Sequence, residues 1–296
     1  MSRRRKPATT HGVCIVDKPA GVTSHDVVGM LRKRFDERQV GHAGTLDPDA
    51  TGVLVVAVGM ATKLLRFIEK TTKRYEGEVV LGVETSTLDA AGDVTVTHRM
   101  SEVTVAAAQA VVDEHLTGPI EQLPPMVSAI KIDGRRLHEL AREGKEVERP
   151  PRPVTIHEFT VTGEPEPGVL SIAVTCSAGT YVRTLAADLG HLLGGGAHLR
   201  SLRRIAVGDF TIDEAGAPDE CDLLPVETAV RGLVRVPADA DLASLIANGR
   251  VLPRPSELGD GPWAVFGPDG SLIAVYEAFG VAEAKPSVVL PTASGR

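Results

Sequence analysis

Residues 53–58, Val-Leu-Val-Val-Ala-Val, are the longest unbroken apolar run in a chain of 296 residues. A membrane-spanning helix takes about 20 such residues, so no transmembrane helix is expected and the run reads as a strand. Shorter strand-like runs accompany it at residues 12–16, 75–83, 127–132, 154–161, 169–174 and 202–207. Helical patterns fall between them. Thr23 or Ser24 can cap a helix with Val27, Val28, Met30 and Leu31 on one face and Arg32-Lys33-Arg34 at its end. Residues 61–70, 103–116 and 135–142 read as further helices, the last two stopped by Gly118 and Gly144; residues 180–189 make another, with Gly190 past its end. Strands and helices alternate irregularly, with hairpin-like pairs. That pattern predicts an α+β fold, a mixed and mostly antiparallel sheet flanked by helices, rather than a doubly wound α/β fold.

Composition narrows the chemistry. Cys14, Cys176 and Cys221 are scattered, with no Cys-x-x-Cys and no histidine at metal spacing. A disulfide framework and a zinc site are therefore not expected, and a reducing cytoplasm fits best. The start, Met1-Ser-Arg-Arg-Arg-Lys, is basic but lacks the apolar stretch of a signal peptide, so residues 1–11 are expected to be a flexible basic arm. A net charge of −7 argues at first against a nucleic-acid partner. Its distribution reverses that inference. Residues 211–296 carry 13 acidic and 6 basic side chains, which accounts for the whole imbalance and leaves the larger part neutral with clustered bases. From about residue 213 the chain also becomes richer in Pro and Gly, and a hairpin through Pro268-Asp-Gly270 suggests a small β-rich domain over 213–296 after a main domain over 12–212.

The stretch Gly41-His-Ala-Gly-Thr-Leu-Asp-Pro-Asp-Ala-Thr-Gly52 is a polar loop set between a helix and the apolar strand, where chemistry is commonly mounted. Asp47 is followed by Pro48, which holds it extended or in a turn, so its carboxylate can be fixed at the apex. An Asx-turn capping a backbone amide would give the same local pattern. The stretch closely resembles the catalytic motif of the TruB family of tRNA pseudouridine synthases. Asp17-Lys-Pro-Ala-Gly-Val-Thr-Ser-His, Lys73-Arg-Tyr75, Ser128-Ala-Ile-Lys131, Gly179-Thr-Tyr-Val-Arg183 and Leu202-Arg-Arg-Ile are similar to that family's other motifs, in the same order, across residues 12–210.

The resemblance implies the pseudouridine synthase catalytic fold and isomerisation of the T-loop uridine conventionally numbered 55. The bond from ribose C1′ to N1 breaks, the base rotates, and C5 rejoins C1′. No cofactor and no metal are implied. Asp47 would be the catalytic carboxylate, either as nucleophile on C1′ or as the base that triggers glycal formation, and the sequence does not separate the two. Arg183 would keep it ionised and aimed, and Tyr75 would stack on the uracil with its hydroxyl near C5. Tyr181, Leu202 and Lys18 would line the same pocket, Lys18 being equally readable as a solvated turn residue. His42 would help expel the target nucleotide, or bond the loop backbone.

Lys63, Arg66, Lys70 and Lys73 follow 3-4-3 spacing and form one stripe if the helix persists. Lys131, Arg135, Arg136, Arg142, Lys145, Arg149 and Arg152 crowd a second region, which matches the family's RNA-clamping insertion at about 124–152. Arg200, Arg203 and Arg204 make a third group. Three basic groups in a neutral domain favour a phosphate track, with binding that weakens steeply as salt rises. The implied partner is the T stem-loop of tRNA, with no guide RNA, membrane or obligate protein partner, and help in tRNA folding can coexist with catalysis. The C-terminal part stands where the family has a PUA-type RNA-binding module, and its acidity predicts only local RNA contact, through Arg231, Arg235, Arg250 or Arg254.

Overall fold

The computed structural model describes residues 8–128, 130–132, 134–145, 147–254 and 256–291. The basic start through Pro7 lies outside the described residues. From residue 8 the expected arm is tied down, the Thr9 amide donating to Glu37 at 3.1 Å and the Met60 amide to the His11 ring at 3.2 Å. The chain opens with β1 (Gly12–Lys18), α1 (Ser24–Arg34), β2 (Val40–Ala43) and β3 (Thr51–Val58). A 3-10 turn (Gly59–Leu64) and the short α2 (Leu65–Glu69) lead into β4 (Lys73–Leu81) and the hairpin β5 (Val83–Thr85) and β6 (Val94–Thr97). Then come α3 (Val105–His115), β7 (Gly118–Gln122), the brief β8 (Lys131–Ile132) and β9 (Arg135–Arg136), and α4 (Leu137–Arg142). The long pair β10 (Arg152–Glu166) and β11 (Val169–Cys176) precedes α5 (Val182–Leu192), β12 (Ala197–Val207) and β13 (Phe210–Thr211). The C-terminal part holds β14 (Val234–Pro237), α6 (Ala240–Ala247), β15 (Leu252–Pro253), β16 (Trp263–Phe266), β17 (Leu272–Phe279) and β18 (Glu283–Val289).

A nine-stranded sheet runs β1-β3-β12-β4-β11-β10-β7, with β2 on β3 and β13 on β12. Its one parallel contact joins β12 to β3, so the sheet is mixed and mostly antiparallel. Residues 53–58 are apolar throughout because β3 is covered on both faces. On one face Val53, Val55 and Ala57 join Phe67 and Ile68 of α2, and on the other Leu54, Val56 and Val58 meet Val27, Val28 and Leu31 of α1. The capping box of α1 uses Thr23, whose hydroxyl accepts from the Asp26 amide while the Asp26 carboxylate accepts from the Thr23 amide. Met30, expected on the packed face, is instead exposed, because the stripe centres on Val27 and Leu31. A second core lies under α3 and α5 against β4, β10, β11 and β12.

After β13 the chain turns back to β1, where Leu224 bridges Val13 and Gly216 bridges Val16. The second sheet, β14-β16-β17-β18-β15, draws all its strands from residues beyond 233, later than the compositional shift at 213. Ala264, Phe266, Leu272 and Val275 from this sheet enter the same core as Val13, Val55 and Phe67, so the two sheets are packed together.

Several local expectations are corrected. The helix expected over 61–70 is a 3-10 turn followed by five helical residues. Among the described residues, the strand expected over 127–132 is paired only at Lys131–Ile132. Gly190 lies inside α5, not past it; a Cβ there would stand 2.4 Å from Ala197 N, so this glycine lets β12 start against the helix. The first residues of the Gly41–Gly52 stretch form β2 rather than loop.

Gly52 has φ +101°, and a Cβ on it would come within 2.2 Å of the Arg204 carbonyl across the parallel β3–β12 contact. Both the left-handed backbone and the close approach demand glycine. Gly52→Ala is expected to lower stability by about 3 kcal/mol, read as a fall in the urea midpoint at unchanged slope.

Candidate active site

The site is set by a split in the sheet edge. One edge of β3 is paired by β1; along the other, β2 covers Val55 to Val58 and β12 covers Thr51 and Gly52. Where partners change, residues 44–50 leave the sheet as a loop. Its backbone is strapped on both sides of Asp47. The Leu46 amide donates to Ser24 Oγ at 2.9 Å, and the Ser24 hydroxyl donates to the Leu46 carbonyl at 3.2 Å. Beyond Asp47, the Pro48 carbonyl accepts from Lys18 Nζ at 2.8 Å and from the Gly21 amide at 3.1 Å. Asp47 is thus held by its neighbours, with its side chain 44% exposed toward a cleft of about 290 Å³.

The cleft brings together Asp47, Tyr75, Tyr181, Arg183 and Leu202 from four separate chain segments, and Lys73 and Arg204 stand in its wall. Arg183, in the first turn of α5, makes a bidentate pair with Asp47, Nε to Oδ2 at 2.9 Å and Nη2 to Oδ1 at 3.2 Å. Its remaining donors reach the carbonyls of Thr87 and Val127, both at 2.9 Å, and Asp89 lies 3.5 Å away. Arg183 is only 3% exposed, so its orientation is fixed from several sides. Tyr181 caps α5 without a side-chain bond of its own. Gln122, buried at the end of β7, serves instead, accepting from the Tyr181 amide at 2.7 Å and donating to its carbonyl at 3.0 Å. Tyr75 lies on β4 between Val174 of β11 and Arg204 of β12.

The electrostatics are uneven. Burial pushes the Asp47 carboxyl above its ordinary range, against the downward pull of Arg183, and Asp89 adds to the rise. Burial likewise pushes the Tyr75 phenol up, with Arg204 pulling it down. Lys73 is lowered to about 8, first by burial and then by Arg204.

Other candidates stand elsewhere. Lys18 does not line the cleft. It is fully buried beneath the loop, donating to the carbonyls of Pro19, Val22 and Pro48, so both its expected roles are replaced by a structural one. His42 sits on β2 opposite Val56, its Nδ1 buried with no hydrogen-bond partner among the described residues and its pKa lowered by burial and then by Arg204. The Lys63-to-Lys73 stripe does not exist as drawn, because the helix ends at Glu69. Lys63 is exposed, Arg66 pairs with Glu277 at 3.1 Å, and Lys73 turns inward to the carbonyls of Glu69 and Thr71. Arg203 forms a bidentate pair with Asp17 at 2.7 and 3.1 Å, Arg200 pairs with Glu78 and Glu166, and Arg204 is buried. In the 124–152 region Arg135 and Lys145 share Glu143, and Arg149 donates to the Pro124 carbonyl. The side chains of Lys131, Arg136 and Arg142 lie outside the described residues, as does Ala129 of the Ser128–Lys131 motif. In the C-terminal part Arg231 pairs with Glu214 and Arg254 with Asp260. Among the described residues no helix is long and apolar enough to cross a membrane.

Sequence reasoning missed Gln122, Asp89 and Leu46, whose roles come from distant partners and leave no local pattern. Lys73 and Arg204 read as surface bases in the sequence yet are buried, since charge alone does not reveal burial.

Comparisons agree along the chain. The N-terminal domain of TruB family pseudouridylate synthases matches residues 32–182, the tRNA pseudouridylate synthase B C-terminal domain residues 183–221, and the tRNA pseudouridine synthase II C-terminal domain residues 235–291. The chain is 47% identical to tRNA pseudouridine synthase B of Streptomyces coelicolor, covering 92% of this chain and 95% of that one. It is 45% identical to tRNA pseudouridine synthase B of Rhodococcus jostii, covering 98% and 99%. Among solved structures, a chain from the Cbf5-Nop10-Gar1 complex is 25% identical with a TM-score of 0.71, covering 95% of this chain and 84% of that one. The chain belongs to the TruB family of pseudouridylate synthases.

Proposed function

We propose that this protein isomerises a T-loop uridine of tRNA, position 55, to pseudouridine as a stand-alone enzyme. The observation that carries the reading is the bidentate Asp47–Arg183 pair at a cleft that also holds Tyr75 and Leu202, in a chain whose relatives are named tRNA pseudouridine synthase B. A strapped, half-exposed carboxylate beside a fixed cation suits attack at the sugar of a nucleotide turned out of its stack. Extrusion of the base costs a few kcal/mol, and stacking on the Tyr75 ring offsets it by ~1–3 kcal/mol.

In the reaction Asp47 acts at the sugar as nucleophile or as base, and the C1′–N1 bond breaks with its electron pair leaving on N1. The freed uracil rotates against Tyr75 and Leu202, and C5 bonds to C1′. Loss of the C5 proton restores the C5–C6 double bond, and N1 gains a proton. The isomerisation is redox-neutral, so the chain's own groups suffice. Lys63 is exposed, and Arg66, Arg135 and Arg203 exchange their present acid partners for phosphates when RNA binds. The reaction belongs in a reducing cytoplasm, to which three free, buried cysteines are suited.

The test uses purified protein and an unmodified T-arm hairpin carrying 5-tritiated uridine. Tritium release without added RNA or protein supports the stand-alone isomerase. No release overturns it, and release only on adding a guide RNA and partner proteins favours the arrangement of the Cbf5 assemblies.

A further inference from the structure

Arg204 is among the largest fully buried side chains of the protein, at 1% exposure. Among the described residues no carboxylate pairs with it. Its Nε donates to the Val53 carbonyl at 2.7 Å and its Nη2 to the Gly44 carbonyl at 3.0 Å, where β3 changes partners from β2 to β12. Neutral groups could satisfy those two carbonyls without burying a charge, and burying a cation without a counter-ion is costly. Arg204 stands directly opposite Tyr75 in the antiparallel β4–β12 register, which puts both side chains on one face of the sheet, and both line the cleft.

We propose that Arg204 is a positioning residue that orients the Tyr75 hydroxyl and stabilises its phenolate as that oxygen takes the C5 proton. This rests on the isomerase reading above. The phenolate oxygen bonds the proton, the C5–H electron pair restores the C5–C6 double bond, N1 takes a proton from solvent, and the phenol returns its own proton to solvent. The groups facing Tyr75 are Arg204 from β12, Cys176 from β11 and Asp47 from the loop, with Lys73 on its own strand. Burial raises the phenol, Cys176 and Asp47 raise it further, and Arg204 opposes them by its charge. Arg204 is the cation that offsets the rise.

The chain has three tyrosines, so 13Cζ-tyrosine labelling gives a resolvable titration, with Tyr75 assigned through Tyr75→Phe. In Arg204→Met and Arg204→Gln the Tyr75 phenol should titrate about one unit or more higher, and kcat should fall at least about tenfold. RNA affinity should stay within about twofold, because loss of a late proton-transfer partner is a loss in the transition state. A folded variant with unmoved Tyr75 titration, or with its whole loss in KM, overturns the proposal. A measurement on the unsubstituted protein stands beside it. The Arg204 Nε–H resonance should move with the Tyr75 titration and stay still in Tyr75→Phe; a resonance indifferent to Tyr75 overturns the proposal even where no Arg204 variant folds. These titrations need no RNA, so they judge the coupling, whereas absent tritium release from the unsubstituted protein counts against the isomerase reading.

Discussion

Asp47→Asn is expected to lower single-turnover tritium release by at least about 10⁴-fold while leaving T-arm affinity within about threefold. The amide keeps the shape of the carboxylate and can still accept from Arg183, but it neither attacks C1′ nor takes a proton. The straps at Leu46 and Pro48 use backbone atoms, so they survive the change. The same variant should melt no lower than the unsubstituted protein at neutral pH. Because folding raises the Asp47 pKa, the ionised form costs stability above the folded pKa, and that cost vanishes as pH falls below the unfolded value. A neutral Asn relieves it. For activity the sign is opposite, since the carboxylate must be ionised. The acid limb of kcat/KM should therefore lie above the ordinary aspartate range, and Arg183→Gln should move it higher still, because Arg183 is what holds the pKa down. A limb within the ordinary aspartate range, or an Asn variant that turns over normally, would remove Asp47 from the chemistry.

What could be read in advance was whatever the chain encodes locally. Thr23 and Asp26 spell a capping box within four residues, and the apolar run of β3 admits only a buried strand. Asp47, Tyr75 and Arg183 are marked by motifs, and the fold brings them into one cleft. Lys18 reads as pocket-lining from the resemblance or as solvated from its turn, and neither reading reveals its burial, because one of the three carbonyls around its ammonium comes from 30 residues away. Arg204 reads as one of a basic group with Arg200 and Arg203, since the three lie within five residues of one strand and nothing local marks which enters the core. The pattern over 61–70 outruns the helix for a similar reason. Its periodicity is real, but the Lys73 ammonium is drawn back to the carbonyls of Glu69 and Thr71, and the strand begins there.

Tyr75→Leu is expected to reduce turnover at least about a thousandfold but T-arm affinity only about tenfold, because leucine retains part of the apolar surface on which the flipped base rests. The two losses differ because the residue offers two things. Its ring gives the displaced uracil a surface, which matters in the bound state and in the transition state alike. Its hydroxyl, opposite Arg204 and within the field of Asp47, matters only once C5 has joined C1′. Tyr75→Phe separates them. Phenylalanine keeps the ring, so its affinity should match that of the unsubstituted protein while turnover falls nearly as far as in the leucine variant. Binding by filter retention and single-turnover tritium release on the same hairpin give both quantities. Equal losses in affinity and rate for Tyr75→Leu would reduce Tyr75 to a binding surface, and full turnover in Tyr75→Phe would move the C5 proton to another base. Lys73 would then be the group to examine, since it lines the same cleft and its pKa, lowered to about 8, puts a neutral amine within reach of physiological pH.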